Sequence, residues 1–107
     1  MSLLSRIEEI LLLSIWKLKD QAFGVAIIDQ VEKDTGVTWM SGSIYGALAR
    51  LKKNGYVKTA RIEQSPEQMG RPRIYYELTP LGLEKLSTIQ AVNRAIWFGV
   101  PDLKKGV

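Results

Sequence analysis

Residues 41–86 constrain the fold more than any other part of the chain. Ile44, Leu48 and Leu51 are spaced i, i+4, i+7, with Ala47 beside them, so 41–54 reads as an amphipathic helix. Opposite that stripe lie Gly42, Gly46, Ala49 and Lys53, flanked by Ser43 and Arg50 on one side and Tyr45 and Lys52 on the other. The outer face is therefore almost bare of side chains. Glycine costs about 1 kcal/mol relative to alanine in an exposed helix interior. Two glycines on one face point to something that must come close to the backbone, either a DNA groove or a packed partner helix. Asn54-Gly55 ends the helix, because glycine readily takes the left-handed conformation there.

The rest of the stretch extends the pattern. Residues 56–64 alternate as a strand. Residues 65–72 carry two prolines and a glycine without apolar periodicity and read as a loop, and 73–78 are rich in β-formers (Ile74, Tyr75, Tyr76). Thr79-Pro80 then starts a helix, with threonine at the cap and proline at the first turn, where its missing N–H costs nothing. Helix, strand, turn, strand, helix, with a cationic first helix and turn, is the layout of a winged helix-turn-helix. In that layout one helix lies in a major groove, and the hairpin reaches a neighbouring groove or the backbone.

Residues 3–19 read as a helix capped by Ser2 or Ser5, with Glu8 and Glu9 at the positive end of its dipole. Ten apolar residues there, from Leu3 to Leu18, are too many for one face. Such a helix buries one side on its own domain and offers the other to a partner, here a second copy, or else it is a central helix wrapped by its neighbours. After a connector at 19–24, where Gly24 permits a tight turn or close approach, 25–34 is the next helix, stopped by Thr35-Gly36. Residues 37–40 read as a short strand or bridge, and Ser41 is the preferred cap of the following helix. In the last helix, 79–98, Leu86, Ile89, Asn93 and Ile96 are spaced three, four and three. That is a short coiled-coil-like seam, with Asn93 either fixing a dimer register or tolerated in an ordinary core.

Composition removes several function classes. The chain of 107 residues contains no Cys and no His, which excludes disulfides, Cys- or His-ligated metal, and Ser-His or Cys-His nucleophiles. No cofactor is expected, and an enzyme ranks last. The longest apolar run, 10–16, is too short to span a bilayer, which takes about 20 residues. With no signal peptide in evidence, a cytoplasmic protein without membrane contact is expected. Residues 41–73 hold seven cations against two anions, a net +5 in a chain of net +4, so the whole positive excess falls on that helix and hairpin. Cations gathered on one surface attract phosphate and release its counterions; the competing reading is a solvated basic surface.

Three groups of candidate residues follow. For DNA they are Ser41, Gly42, Ser43, Tyr45, Gly46, Arg50, Lys53, Lys58, Arg71 and Arg73. Arg71 and Arg73 flank Pro72 and suit phosphate or a narrow minor groove, or else pair with Glu63, Glu67 or Glu77. For dimerisation they are Leu4, Ile7, Leu11, Leu86, Ile89, Asn93, Ile96 and Trp97. Trp97 and Phe98, beside Ile96, cannot all face one seam; they line a site for a small planar aromatic effector or fill the dimer core.

Three blocks together resemble the PadR family of bacterial transcriptional regulators in its short form. They are Gly42-Ser43-Ile44-Tyr45 with Ala47, Leu48 and Leu51; Asn54-Gly55-Tyr56-Val57; and Gly70-Arg71-Pro72-Arg73-Ile74-Tyr75-Tyr76 leading to Leu78-Thr79 and Gly82. The resemblance covers about residues 7–86. It implies a winged-helix N-terminal domain, a dimer built from the first and last helices, and operator binding; members commonly repress transcription and are released by small molecules or stress signals. Where the family usually shows His-Gly-Tyr, this chain has Phe23-Gly24-Val25. The expected fold is mainly α with a small β-hairpin. A winged helix-turn-helix domain spans 1–79, and a dimerisation helix and tail span 80–107. The expected function is a dimeric DNA-binding regulator, in the repressor sense, reading a pseudo-palindromic operator in double-stranded DNA. The alternative is a winged-helix module for protein contacts without direct DNA binding.

Overall fold

The computed structural model describes residues 4–64 and 72–105. Its elements run α1 (Arg6–Leu18), a 3-10 turn (Lys19–Gln21), α2 (Gly24–Thr35), α3 (Ser41–Lys53), β1 (Val57–Glu63), β2 (Arg73–Leu78) and α4 (Pro80–Trp97). The fold is mainly helical with one antiparallel hairpin, as the sequence pattern predicts. α1 starts at a reciprocal capping box: Glu8 N–H donates to Ser5 Oγ at 3.3 Å, and Ser5 N–H donates to Glu8 Oε1 at 3.3 Å. α2 ends on Gly36 at φ 72°, a left-handed cap that glycine adopts without strain.

The core lies where the apolar stripes of the first three helices meet the start of β1. Leu11, Leu12 and Ile15 of α1 pack with Ile27 and Val31 of α2, with Ile44, Leu48 and Leu51 of α3, and with Val57. Each fully buried aliphatic side chain of this size contributes about 1.5–3 kcal/mol. Ser14, also buried in α1, donates its hydroxyl to Ile10 O at 2.9 Å, so its burial leaves no unpaired donor.

α4 is anchored at its root. Thr79 caps it by accepting from Gly82 N–H at 3.0 Å, donates its own N–H to Tyr56 O at 3.1 Å, and turns its hydroxyl to Gly55 O. The helix backbone there presses so closely on the Tyr56 carbonyl that a Cβ at Gly82 would overlap it. Further along, Asn93 Nδ2 donates to Glu9 Oε1 at 3.0 Å, tying α4 to α1 within one chain.

Three expectations need correction. Residues 37–40 form no strand. The outer edge of β2 is taken instead by the segment before α2, through a Phe23↔Tyr75 bridge and a Tyr76 N–H to Ala22 O bond of 2.8 Å. Ser41 does not cap α3. Trp39 rests on the core, so the helix turn begins at Met40, whose carbonyl accepts from Ser43 and Ile44 N–H, and Ser41 becomes the first helical residue. β1 keeps its expected alternation, with Val57, Thr59 and Arg61 more covered than Lys58, Ala60 and Ile62, while its pairing register slips between Thr59 and Arg61 in a β-bulge. Leu11, assigned to the dimer contact, is wholly buried in the chain's own core and has no surface to offer a partner.

Candidate nucleic-acid interface

The outer face of α3 is built as its spacing requires. Burying Ile44, Ala47, Leu48 and Leu51 turns Gly42, Gly46 and Ala49 outward. A Cβ at Gly42 would meet nothing within 4 Å, and one at Gly46 only the Arg50 guanidinium at 3.7 Å. A neighbouring surface can therefore approach the backbone itself. Ser41, Ser43, Arg50 and Lys53 are all exposed around this strip. Among the described residues neither Arg50 nor Lys53 takes an ion-pair partner, so their charge faces outward uncompensated. No side chain caps the start of α3, which leaves backbone N–H groups at its positive end.

Tyr45 flanks that strip on the side of α2. It is 46% exposed, and its ring lies against the backbone at Gly24, the first residue of α2. Tyr45 and Arg73 border one cleft of about 580 Å³ between the start of α2, α3 and β2, together with Phe23, Pro72 and Tyr76. The Arg73 guanidinium stacks 4.3 Å over the Phe23 ring, and Phe23 in turn meets Tyr75 at 5.3 Å. Burial, and secondarily the nearby Tyr45, pushes the Tyr76 phenol above its ordinary pKa.

The hairpin spends part of its charge internally. Lys58, assigned to DNA, pairs with Glu77 across the strands at 3.3 Å, with both side chains about half exposed. Arg61 binds Glu63 at 2.8 Å and stacks 3.7 Å over Tyr75, whose hydroxyl also donates to Glu63. The Arg61 hydrogen bond, followed by the one from Tyr75, holds the Glu63 carboxyl below its usual range. Glu63, offered above as a partner for Arg73, is engaged by Arg61 and also feels the charge of Arg73, which sits opposite it in the register. Arg71 lies outside the described residues.

A second surface lies between α1 and α4. Leu86, Ile89, Asn93 and Trp97 border an open groove of about 690 Å³ with Leu13 and Trp16 of α1. Leu4, Ile89, Asn93 and Ile96 border a smaller hollow beside it. Trp97 is 57% exposed and Phe98 is 89% exposed. Ile7 packs on the core with part of its surface open. The seam thus splits: Leu86 leans on the chain's own core while Ile96 faces outward.

Sequence reasoning missed Phe23 as the platform for Arg73, and Trp16 as the α1 wall of the groove. The excess of apolar residues on the first helix was the available signal for Trp16. Nothing in the local pattern announced Phe23, because its role depends on a bridge to β2, 52 residues away. Among the described residues no cluster of carboxylates could hold a metal ion, and no helix is long and apolar enough to cross a membrane.

Known proteins place this geometry. The model of the transcriptional regulator PadR-like family matches residues 12–88. Among solved structures, a PadR family transcription regulator from hypervirulent Clostridium difficile is similar at 26% identity and TM-score 0.73, over 86% of this chain and 91% of that one. A PadR-like transcriptional regulator from Bacillus cereus is similar at 25% identity and TM-score 0.70, over 94% and 93%. A PadR-like transcription factor from Bacteroides fragilis is similar at 28% identity and TM-score 0.68, over 84% and 81%. No curated protein matches the chain. The family match spans most of the sequence and includes α3, the hairpin and the root of α4, so this chain belongs to the PadR-like family of transcriptional regulators.

Proposed function

We propose that the protein is a dimeric repressor that binds a pseudo-palindromic operator through α3 and the hairpin. The observation that carries this reading is the bare strip Gly42, Gly46 and Ala49, rimmed by Ser43, Arg50 and Lys53 on the most cationic part of the chain. A strip without side chains lets the helix sink into a major groove, while the rim reaches phosphate and base edges. Arg73, held over Phe23 at the hairpin, contacts backbone or minor groove, with Arg71 beside it in sequence. The basic excess disfavours the alternative of a docked protein helix, which would gain little from it.

The dimer reading rests on the apolar groove between α1 and α4. Leu13, Trp16, Leu83, Ile96 and Trp97 leave much of their surface to solvent in a single chain. A second copy that laid its own α1 and α4 across the groove would cover them and set two α3 helices about one DNA turn apart. Trp97 and Phe98 near that junction suit a planar aromatic effector. Such a ligand would release DNA only by binding one arrangement of the two copies better than the other.

The test is binding to a labelled random duplex and to fragments selected from genomic DNA, across a salt series. DNA binding gives an affinity that falls steeply and linearly in log–log form with salt. Salt-insensitive or absent binding would favour the protein-contact module. Sedimentation at micromolar concentration gives the dimer; a stable monomer refutes it.

A further inference from the structure

Gly24 opens α2, at the corner where the chain leaves β2's edge and turns toward the core. Its φ is not in the left-handed region, so backbone conformation does not call for glycine here. Nor does capping, since Phe23 is the N-cap and no side chain caps the helix. What the position lacks room for is a side chain. A Cβ there would fall on the Tyr45 hydroxyl, with Cε1 at 3.0 Å and Cζ at 3.1 Å just behind it. The hydroxyl end of the Tyr45 ring thus rests on the backbone of α2, where any side chain at position 24 would have to displace it.

That seat fixes where a residue of α3 can point. Tyr45 precedes Gly46 and flanks the bare strip, and its hydroxyl makes no hydrogen bond to another described residue although the side chain is half exposed. Tyr76 and Arg73 of β2 line the same cleft as Tyr45. The ring is therefore seated against α2 at the border of that cleft, on a residue that flanks the surface assigned to DNA.

We infer that Gly24 is a positioning residue for DNA binding: its missing side chain seats Tyr45, whose hydroxyl then donates to the nucleic acid at the rim of α3. The inference rests on the DNA reading above and adds to it a residue that does not itself touch DNA. Alanine at position 24 leaves the helix intact, since alanine is the better helix former, but it displaces the ring. A hydrogen bond to a charged phosphate oxygen is worth enough that losing it weakens binding by about tenfold.

The experiment is a double-mutant cycle with wild type, Gly24→Ala, Tyr45→Ala and the double variant, each measured for duplex affinity at fixed salt and for melting temperature. Each single change should weaken binding by about tenfold, and the double variant should be no weaker than Tyr45→Ala alone. Should Gly24→Ala melt low, the loss must vanish in the Tyr45→Ala background, where nothing remains for the new methyl to strike. The inference is overturned if Gly24→Ala binds like wild type, or if the two losses multiply in the double variant. A wild-type protein without salt-dependent affinity for DNA would overturn the DNA reading and this inference together. Normal wild-type binding with an indifferent Gly24→Ala overturns this inference alone.

Discussion

The root of α4 gives the sharpest stability test, because the clash there involves backbone on both sides. At Gly82 a new Cβ would overlap the Tyr56 carbonyl oxygen and lie 3.0 Å from its carbon, and neither helix nor strand entry can rotate away as a side chain would. Gly82→Ala must therefore push α4 off the segment 55–56. Three bonds depend on that contact: Thr79 N–H to Tyr56 O, Thr79 Oγ1 to Gly55 O, and the cap from Gly82 N–H to Thr79 Oγ1. At about 1 kcal/mol each they outweigh the gain of up to about 1 kcal/mol from alanine's helix propensity, a net loss of about 2 kcal/mol. For a domain of this size the melting temperature should fall by about 10 °C. The control is Gly42→Ala, where nothing lies within 4 Å and the same propensity gain should raise it slightly. Thermal unfolding followed by circular dichroism reads both. A Gly82→Ala protein that melts at or above wild type would show that α4 can slide at no cost, and the close-contact argument would fall.

Further outcomes follow from the surfaces. Gly42→Ala and Gly46→Ala should weaken duplex binding while leaving melting unchanged or higher; unchanged affinity for both would remove the bare strip from the interface. Arg71→Ala with Arg73→Ala should weaken operator and random DNA by similar factors and flatten the salt slope, and a loss of operator discrimination alone would contradict a backbone role. The depressed Glu63 carboxyl contributes stability that is fully present above the ordinary carboxylate pKa and is lost as pH falls through its lowered folded value. Glu63→Gln should accordingly lower the melting temperature slightly near neutral pH and flatten its acid-side decline, so that the two proteins converge in acid; an identical acid profile would refute the link. Trp97→Ala should abolish quenching of tryptophan emission by planar aromatic compounds if Trp97 lines a site. If Trp97 fills a dimer core, melting should drop instead, since such truncations cost about 3–5 kcal/mol.

What the sequence could disclose depended on how local the cause was. The apolar stripe Ile44, Leu48 and Leu51, the Thr79-Pro80 start and the Asn54-Gly55 stop are each set within one or two turns of chain, and the structure has them in place. The misread residues answer to partners far away in sequence. Met40 rather than Ser41 opens α3 because Trp39 is held by the core. Leu11 joins the core because α1 is covered by α2 and α3 on the side where it lies. Asn93 is the instructive case. A polar residue at a seam position is commonly a register device between chains, yet its amide is engaged by Glu9 of the same chain. Glu9 also binds Arg6 at 3.0 Å, so the carboxylate joins two helices without being left unpaired. This bond helps fix α4 against α1 within a single chain. In the dimer proposed above, the partner's helices would then meet a groove already shaped by this bond, and the spacing of two α3 helices on DNA would depend on an intrachain hydrogen bond as well as on the dimer contact.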